Sequence, residues 1–141
     1  MKIYIVSDHR GYKLKETLKK HFDLIDLGTN SEESVDYPVF AFKLGEKVSK
    51  EKAIGIAICG SGIGISIACN KVKGIRCAKV STIKEAIYTR RDNDSNVIAL
   101  SSELSEKHAV RIVEEFLKEE FSGLERYKKR IKEIEEYEKN N

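Results

Sequence analysis

Short apolar runs alternate with amphipathic segments along the whole chain, and this alternation constrains the fold more than any other feature. The apolar runs are β-branched and end at Gly, Asp, Asn or Ser, which predicts strands at Lys2–Val6, Phe22–Leu27, Ala53–Ile58, Ile75–Val80 and Val97–Leu100. The segments between them predict helices at Gly11–Lys20, Val39–Ser49, Gly64–Val72, Thr82–Arg91 and Ser105–Leu117. Because parallel strands need crossover helices, we expect a doubly wound, Rossmann-like three-layer α/β sandwich with a five-stranded parallel sheet.

A single domain, residues 1–141, accounts for the whole sequence, since no linker, repeat or low-complexity stretch divides it. The formal net charge of +3 comes from Lys and Glu interspersed through the helices, so nucleic acid is not an expected partner. No apolar run reaches the length of a signal peptide or a membrane span. Three cysteines without a C-x(2–4)-C pair argue against disulfides and structural zinc. We therefore expect a cytoplasmic protein with free thiols, no membrane association and no metal site.

The segment Ala57–Ser66 runs an apolar strand into a glycine-rich turn and out into a helix. Its glycines let a ligand approach the peptide N–H groups closely, and a helix N-terminus favours an anion there. Cys59 stands at the strand end, where a thiol can take a proton from a bound substrate or attack it. The segment matches neither a P-loop nor G-x-G-x-x-G. We interpret it as an oxyanion cradle with a thiol base; the alternative is that Cys59 is a small buried hydrophobic residue.

Three polar loops leave strand ends and are expected to share one edge of the sheet, where ligands of such folds bind. They are Ser7–Gly11, Gly28–Asn30 running on to Asp36–Pro38, and the turn after Cys59. Asp8 and His9 are candidates to bind hydroxyl groups and a phosphate, and Asp8 fits equally well as a cap of the next helix. For Asp36, helix capping is the better interpretation.

A Lys/Glu-rich helix is predicted beyond Gly123, after the last strand. Tyr127, Ile131 and Ile134 fall at i, i+4 and i+7 and form an apolar stripe that needs burial. A partner subunit is a natural place for the stripe, and packing on its own domain is the alternative. Arg126 and Arg130 are placed to grip a phosphate together, although a solvated charged face is more usual in such a helix.

Taken together, these segments resemble the ribose-5-phosphate isomerase type B family, which includes galactose-6-phosphate isomerase subunits and an allose-6-phosphate isomerising branch. The matching segments, in the family's order, are Ser7–Gly11, Leu27–Thr29, Ser34–Pro38, Cys59–Ala68, Asn70–Lys71, Gly74–Arg76 and Asn93–Asn96. The resemblance implies an aldose–ketose isomerase of sugar phosphates that acts through a cis-enediolate with no cofactor. It also implies a homodimer with shared active sites, and leaves open whether dimers pair into tetramers.

The resemblance further implies residue roles. Cys59 matches the thiolate that moves the proton between the first two sugar carbons, and Ser61 matches the hydroxyl that assists it. Asp8 and Asn93 match residues that hold sugar oxygens. The anion hole for the enediolate matches the turn, with Gly60, Gly62, Ile63, Gly64 and Ser66 as its members. Phosphate contacts match His9, Arg126 and Arg130, of which the two arginines serve the neighbouring subunit's site.

Three positions depart from the family pattern. Asp92 stands where many members have a histidine that is a candidate acid for ring opening, so Asp92 is our candidate for that catalytic role. Tyr127 replaces a second family histidine, and Glu103 stands where many members have an arginine that touches the phosphate. We expect ribose 5-phosphate as substrate; the alternatives are a six-carbon sugar phosphate, allose or galactose 6-phosphate, and a catalytically weak paralogue that binds sugar phosphate.

Overall fold

A five-stranded parallel sheet in the order β2-β1-β3-β5-β4 forms the middle layer of the computed structural model, which describes all 141 residues. The strands are β1 (Ile3–Ser7), β2 (Ile25–Asp26), β3 (Ile54–Cys59), β4 (Cys77–Lys79) and β5 (Val97–Ser101). The helices are α1 (Tyr12–His21), α2 (Tyr37–Glu51), α3 (Ile63–Cys69), α4 (Ile83–Asn93), α5 (Glu106–Lys118) and α6 (Glu125–Lys139). The predicted α/β sandwich is confirmed. None of these helices is both long and apolar enough to cross a membrane.

Both faces of the sheet are covered, because successive side chains of a strand point to opposite sides. In β1, Tyr4 and Val6 join the core cluster under α2 and α3, whereas Ile5 joins the cluster under α1, α4 and α5. Each cluster contains 14 buried residues. Burial on both faces explains why all six residues of β3 are buried and why its sequence is apolar throughout.

Two strands are shorter than the sequence predicted, and both lie at the edges of the sheet. β2 pairs with β1 only at Ile25 and Asp26, and β4 pairs with β5 over Cys77–Lys79. The apolar residues that extended the predicted second strand, Phe22 and Leu24, pack against the core without joining the ladder. An edge strand has only one neighbour to define its length, so apolar residues around it need not pair.

The parallel arrangement gives the sheet two chemically distinct edges. We call the edge at the carboxyl ends of the strands the upper edge and the opposite one the lower edge. Each helix that follows a strand returns the chain from the upper to the lower edge. Since α4 has 11 residues, its last residues lie about 16 Å below its start. The end of α4 is therefore on the opposite side of the domain from the ends of β1 and β3.

Helix α6 packs partly against its own chain at the lower edge. Ile131 is buried, and the Glu138 carboxylate accepts a hydrogen bond from the Gly74 N–H at 2.7 Å. Ile134 and Tyr137 nevertheless remain 52% and 72% exposed. The chain itself thus covers only part of the apolar surface of this helix.

Ser7, the last residue of β1, has a fully buried hydroxyl with no hydrogen-bond partner. An unpaired buried hydroxyl costs free energy that a methyl group does not. We expect Ser7→Ala to raise the free energy of unfolding by about 1 kcal/mol in urea titrations. The control is Ser95→Ala, because the buried Ser95 hydroxyl bonds to Thr89 and its loss should be destabilising. Equal destabilisation of the two variants would contradict this explanation.

Candidate active site

The three predicted loops do share the upper edge. The Ser7 N–H donates to the Gly28 carbonyl at 2.8 Å, and the Asp8 N–H donates to the Ile58 carbonyl at 3.0 Å. The Val35 N–H donates to His9 Nδ1 at 3.1 Å. β2 lies beside β1 on one side and β3 lies beside β1 on the other. The direction in which strands are added therefore switches between β1 and β3. The loops therefore meet where open α/β sheets bind ligands.

The turn after β3 folds back onto the Cys59 thiol. The sulfur is nearly buried, with the residue 4% exposed, and Sγ accepts a hydrogen bond from the Gly62 N–H at 3.2 Å. Gly62 has φ of 79°, and a Cβ there would lie 3.0 Å from the Leu100 carbonyl carbon, so only glycine fits. An N–H donor in this position supports negative charge on the sulfur.

Most N–H groups of the turn have no acceptor in the chain. Those without a partner belong to Gly60, Ser61, Gly64 and Ile65. Two of the N–H groups assigned to the anion hole are used inside the turn, since Gly62 donates to Cys59 and Ile63 donates to Ser61 Oγ at 3.1 Å. The Ser61 hydroxyl is exposed and makes no hydrogen bond to the Cys59 sulfur. The free donors are thus Gly60 and Gly64 of the predicted set, with Ser61 and Ile65 in addition; the N–H of Ser66, the fourth residue of α3, belongs to the helix's own hydrogen bonds.

Asp8 and His9 are held in defined orientations beside this turn. Asp8 is 5% exposed, and its Oδ1 accepts hydrogen bonds from the N–H groups of Arg10 and Gly11, both at 3.0 Å. Its Oδ2 has no partner in the chain, so the side chain closes the turn before α1 and keeps one oxygen for a ligand. His9 accepts the Val35 N–H through Nδ1, which places the proton of a neutral ring on Nε2. His9 can therefore donate a hydrogen bond to an anion.

Tyr37 lies against the turn, which sequence patterns did not predict. A Cβ on Gly64 would lie 2.6 Å from both the Cζ and the hydroxyl oxygen of Tyr37. That hydroxyl has no partner in the chain. Asp36, the residue before it, occupies the N-cap position of α2, but its side chain makes no capping hydrogen bond, so the capping prediction is wrong for the side chain. The Asp36-Tyr37-Pro38 segment marked the helix start without revealing the long-range contact to Gly64.

The remaining candidates lie at the lower edge, around the end of α4 and the start of α6. Asp92 accepts a hydrogen bond from Arg91 Nε at 3.2 Å, and Asn93 borders a cavity of about 380 Å³. The guanidinium groups of Arg126 and Arg130 lie over the Tyr127 ring, 4.8 and 5.8 Å from its centre. The Ser122 N–H donates to the Arg91 carbonyl and ties the start of α6 to α4.

One chain therefore does not bring all the predicted site residues together. Cys59, its turn, Asp8 and His9 form an upper-edge group. Asp92, Asn93, Arg126 and Arg130 form a lower-edge group. The length of α4 separates the two.

The Ribose/Galactose Isomerase family model matches residues 3–134 of the chain. A probable ribose-5-phosphate isomerase B of Mycoplasma genitalium is 42% identical over 97% of this chain and 95% of its own length. A putative sugar phosphate isomerase of Bacillus subtilis is 42% identical over 100% of this chain and 99% of its own.

Two solved structures share both the fold and much of the sequence. Ribose-5-phosphate isomerase B of Clostridium thermocellum matches with a TM-score of 0.93 and 44% identity over 99% of each chain. The Mycoplasma genitalium enzyme, solved with bound ribulose 5-phosphate, matches with a TM-score of 0.93 and 40% identity over 99% of this chain and 97% of its own. The chain belongs to the Ribose/Galactose Isomerase family.

Proposed function

We propose that this chain interconverts ribose 5-phosphate and ribulose 5-phosphate in the cytoplasm, by proton transfer through a cis-enediolate and without a cofactor. The observation that carries the proposal is the Cys59 sulfur, held at the upper edge beside four N–H groups that have no acceptor in the chain. Two of the family relatives are named ribose-5-phosphate isomerase B, and these names support the same reaction.

The upper-edge group supplies the proton transfer. The Cys59 thiolate takes the proton from C2 of the open-chain aldose and returns it to C1 of the enediolate, while the hydroxyl proton of O2 moves to O1, so that the aldehyde at C1 becomes the ketone at C2. Negative charge that develops on the sugar oxygen is stabilised by the free N–H donors of the turn, assisted by Ser61. Oδ2 of Asp8 accepts a hydrogen bond from a sugar hydroxyl, and Nε2 of His9 donates one to the phosphate.

The lower-edge group completes the site from a second copy of the chain. In a two-fold dimer, an upper edge that faces the partner's lower edge creates two equivalent sites. Asn93 then binds a sugar oxygen, Asp92 is placed for ring opening, and Arg126 and Arg130 bind the phosphate. Exposed apolar side chains on α2, α3 and α6 support such an interface, because a partner subunit would remove them from water. They are Val39, Phe42, Ile63, Ile67, Ile134 and Tyr137.

A coupled assay with purified protein tests the substrate. We expect kcat/KM for ribose 5-phosphate to exceed that for allose 6-phosphate and galactose 6-phosphate by about tenfold or more. A preference for either six-carbon substrate would show that Asp92 and Glu103 belong to a differently built site. Binding of ribose 5-phosphate without turnover of any substrate would favour the sugar-phosphate-binding paralogue.

A further inference from the structure

The upper edge is strongly acidic for a surface that binds a phosphate ester. Its loops comprise residues 7–11, 28–38, 59–62, 80–82 and 102–105. They contain the five carboxylates Asp8, Glu32, Glu33, Asp36 and Glu103, and a single lysine or arginine, Arg10. Lys13, in the first turn of α1, is already paired with Glu32 at 3.5 Å. A phosphate that approaches Cys59 from this side therefore meets one unpaired permanent cation.

Arg10 places that cation next to Cys59. A Cβ built on Gly60 would lie 2.5 Å from Cζ and 2.8 Å from Nε of Arg10, so the guanidinium contacts the backbone of the residue directly after Cys59. Glycine is the only residue type that leaves room for this contact at position 60, because any side chain there would displace the guanidinium.

The guanidinium of Arg10 has no partner in the chain. The one hydrogen bond that Arg10 donates comes from its backbone N–H and goes to Oδ1 of Asp8. Arg76, Arg90 and Arg91, in contrast, each pair with an aspartate. A planar guanidinium matches phosphate oxygens with two parallel hydrogen bonds. Arg10 thus presents a complete set of donors to the space beside His9 and the Cys59 turn.

Glu103 is linked to the same glycine through Ser101. The Ser101 hydroxyl donates to the Gly60 carbonyl at 2.7 Å and accepts the Glu103 N–H at 3.0 Å. Glu103 forms no ion pair with Arg10, so the guanidinium is not neutralised within the chain.

We propose that Arg10 binds the phosphate group of the substrate, as the upper edge's own phosphate ligand beside His9. This inference rests on the proposed function for the identity of the substrate, but the recognition of a phosphate by Arg10 can be measured without turnover. Arg10 is exposed and its side chain bonds to nothing, so its replacement should leave the fold intact.

The test compares Arg10→Met, which keeps the apolar stem, with Arg10→Lys, which keeps the charge but loses the fork. KM and kcat are measured with ribose 5-phosphate, and the Kd of inorganic phosphate is measured by calorimetry. We expect Arg10→Met to raise both KM and Kd by about 10- to 100-fold with kcat largely unchanged, as for loss of a charged hydrogen bond. Arg10→Lys should recover part of the affinity. Arg111→Met is the matched control, because Arg111 is exposed on α5 and lies outside the upper-edge loops.

The outcomes separate this inference from the proposed function. If the wild-type protein turns over ribose 5-phosphate and Arg10→Met leaves KM and phosphate Kd unchanged, the role of Arg10 is wrong and the function stands. If there is no turnover but Arg10→Met still weakens phosphate binding, the function is wrong and Arg10 stands. Absence of phosphate binding by the wild-type protein, or equal loss in Arg111→Met, would also overturn the role of Arg10.

Discussion

Replacing Cys59 with alanine should lower kcat for ribose 5-phosphate by about 10²- to 10⁴-fold, the range expected when a general base is removed. The side chain is small and already buried, so the void left behind should lower the free energy of unfolding by no more than about 1–2 kcal/mol. Steady-state kinetics and urea unfolding on the same preparation separate the two effects. Turnover at the wild-type rate would exclude the thiol as the base.

The other two cysteines provide the matched controls. Cys69 is fully buried at the end of α3, and the neighbouring Cys77 thiol together with burial raises the pKa of its thiol above the ordinary value. A thiol that stays neutral is a poor base. Cys69→Ala and Cys77→Ala should therefore change stability more than rate. A large loss of kcat in Cys69→Ala without unfolding would show that the base had been assigned to the wrong cysteine.

The elements of the fold were predictable because their signals are local. All five strands and the helices between them appear where the periodicity placed them, and the turn after Cys59 needs the glycine at 62 that the sequence provides. The lengths of β2 and β4 were not predictable, because an apolar residue such as Phe22 contributes equally to a strand or to core packing beside one.

Contacts between distant residues account for what the sequence missed at the site. Tyr37 meets Gly64, and Arg10 meets Gly60, across separations that no local pattern encodes. In each contact the distant side chain occupies the space that a Cβ on the glycine would fill. These glycines therefore allow close packing of a neighbouring side chain in addition to forming the turn. The family resemblance assigned a role to Asn93 but did not show that Asn93 lies at the opposite edge of the sheet from Cys59. The position of Asn93 follows from the direction of the strands and from the course of α4.

Two inactive chains should restore activity when mixed, because each active site combines the upper edge of one subunit with the lower edge of the other. One chain carries Cys59→Ala, and the other carries Asn93→Ala together with Arg130→Ala. In a hybrid dimer one site holds all the mutations and the other holds none. After complete exchange, half of the dimers are hybrids with one intact site of two, so activity should return to about a quarter of the wild-type value.

The decisive measurement is this recovery compared with that of a control mixture, with subunit exchange verified by mass spectrometry of differently tagged chains. The control mixes Cys59→Ala with Asp8→Ala. Both of these changes lie on the upper edge, so every site in a hybrid keeps one defect. We predict recovery to about a quarter of wild-type activity in the first mixture and none in the control. No recovery in the first mixture after verified exchange, or equal recovery in both, would contradict a site shared between opposite edges of two subunits.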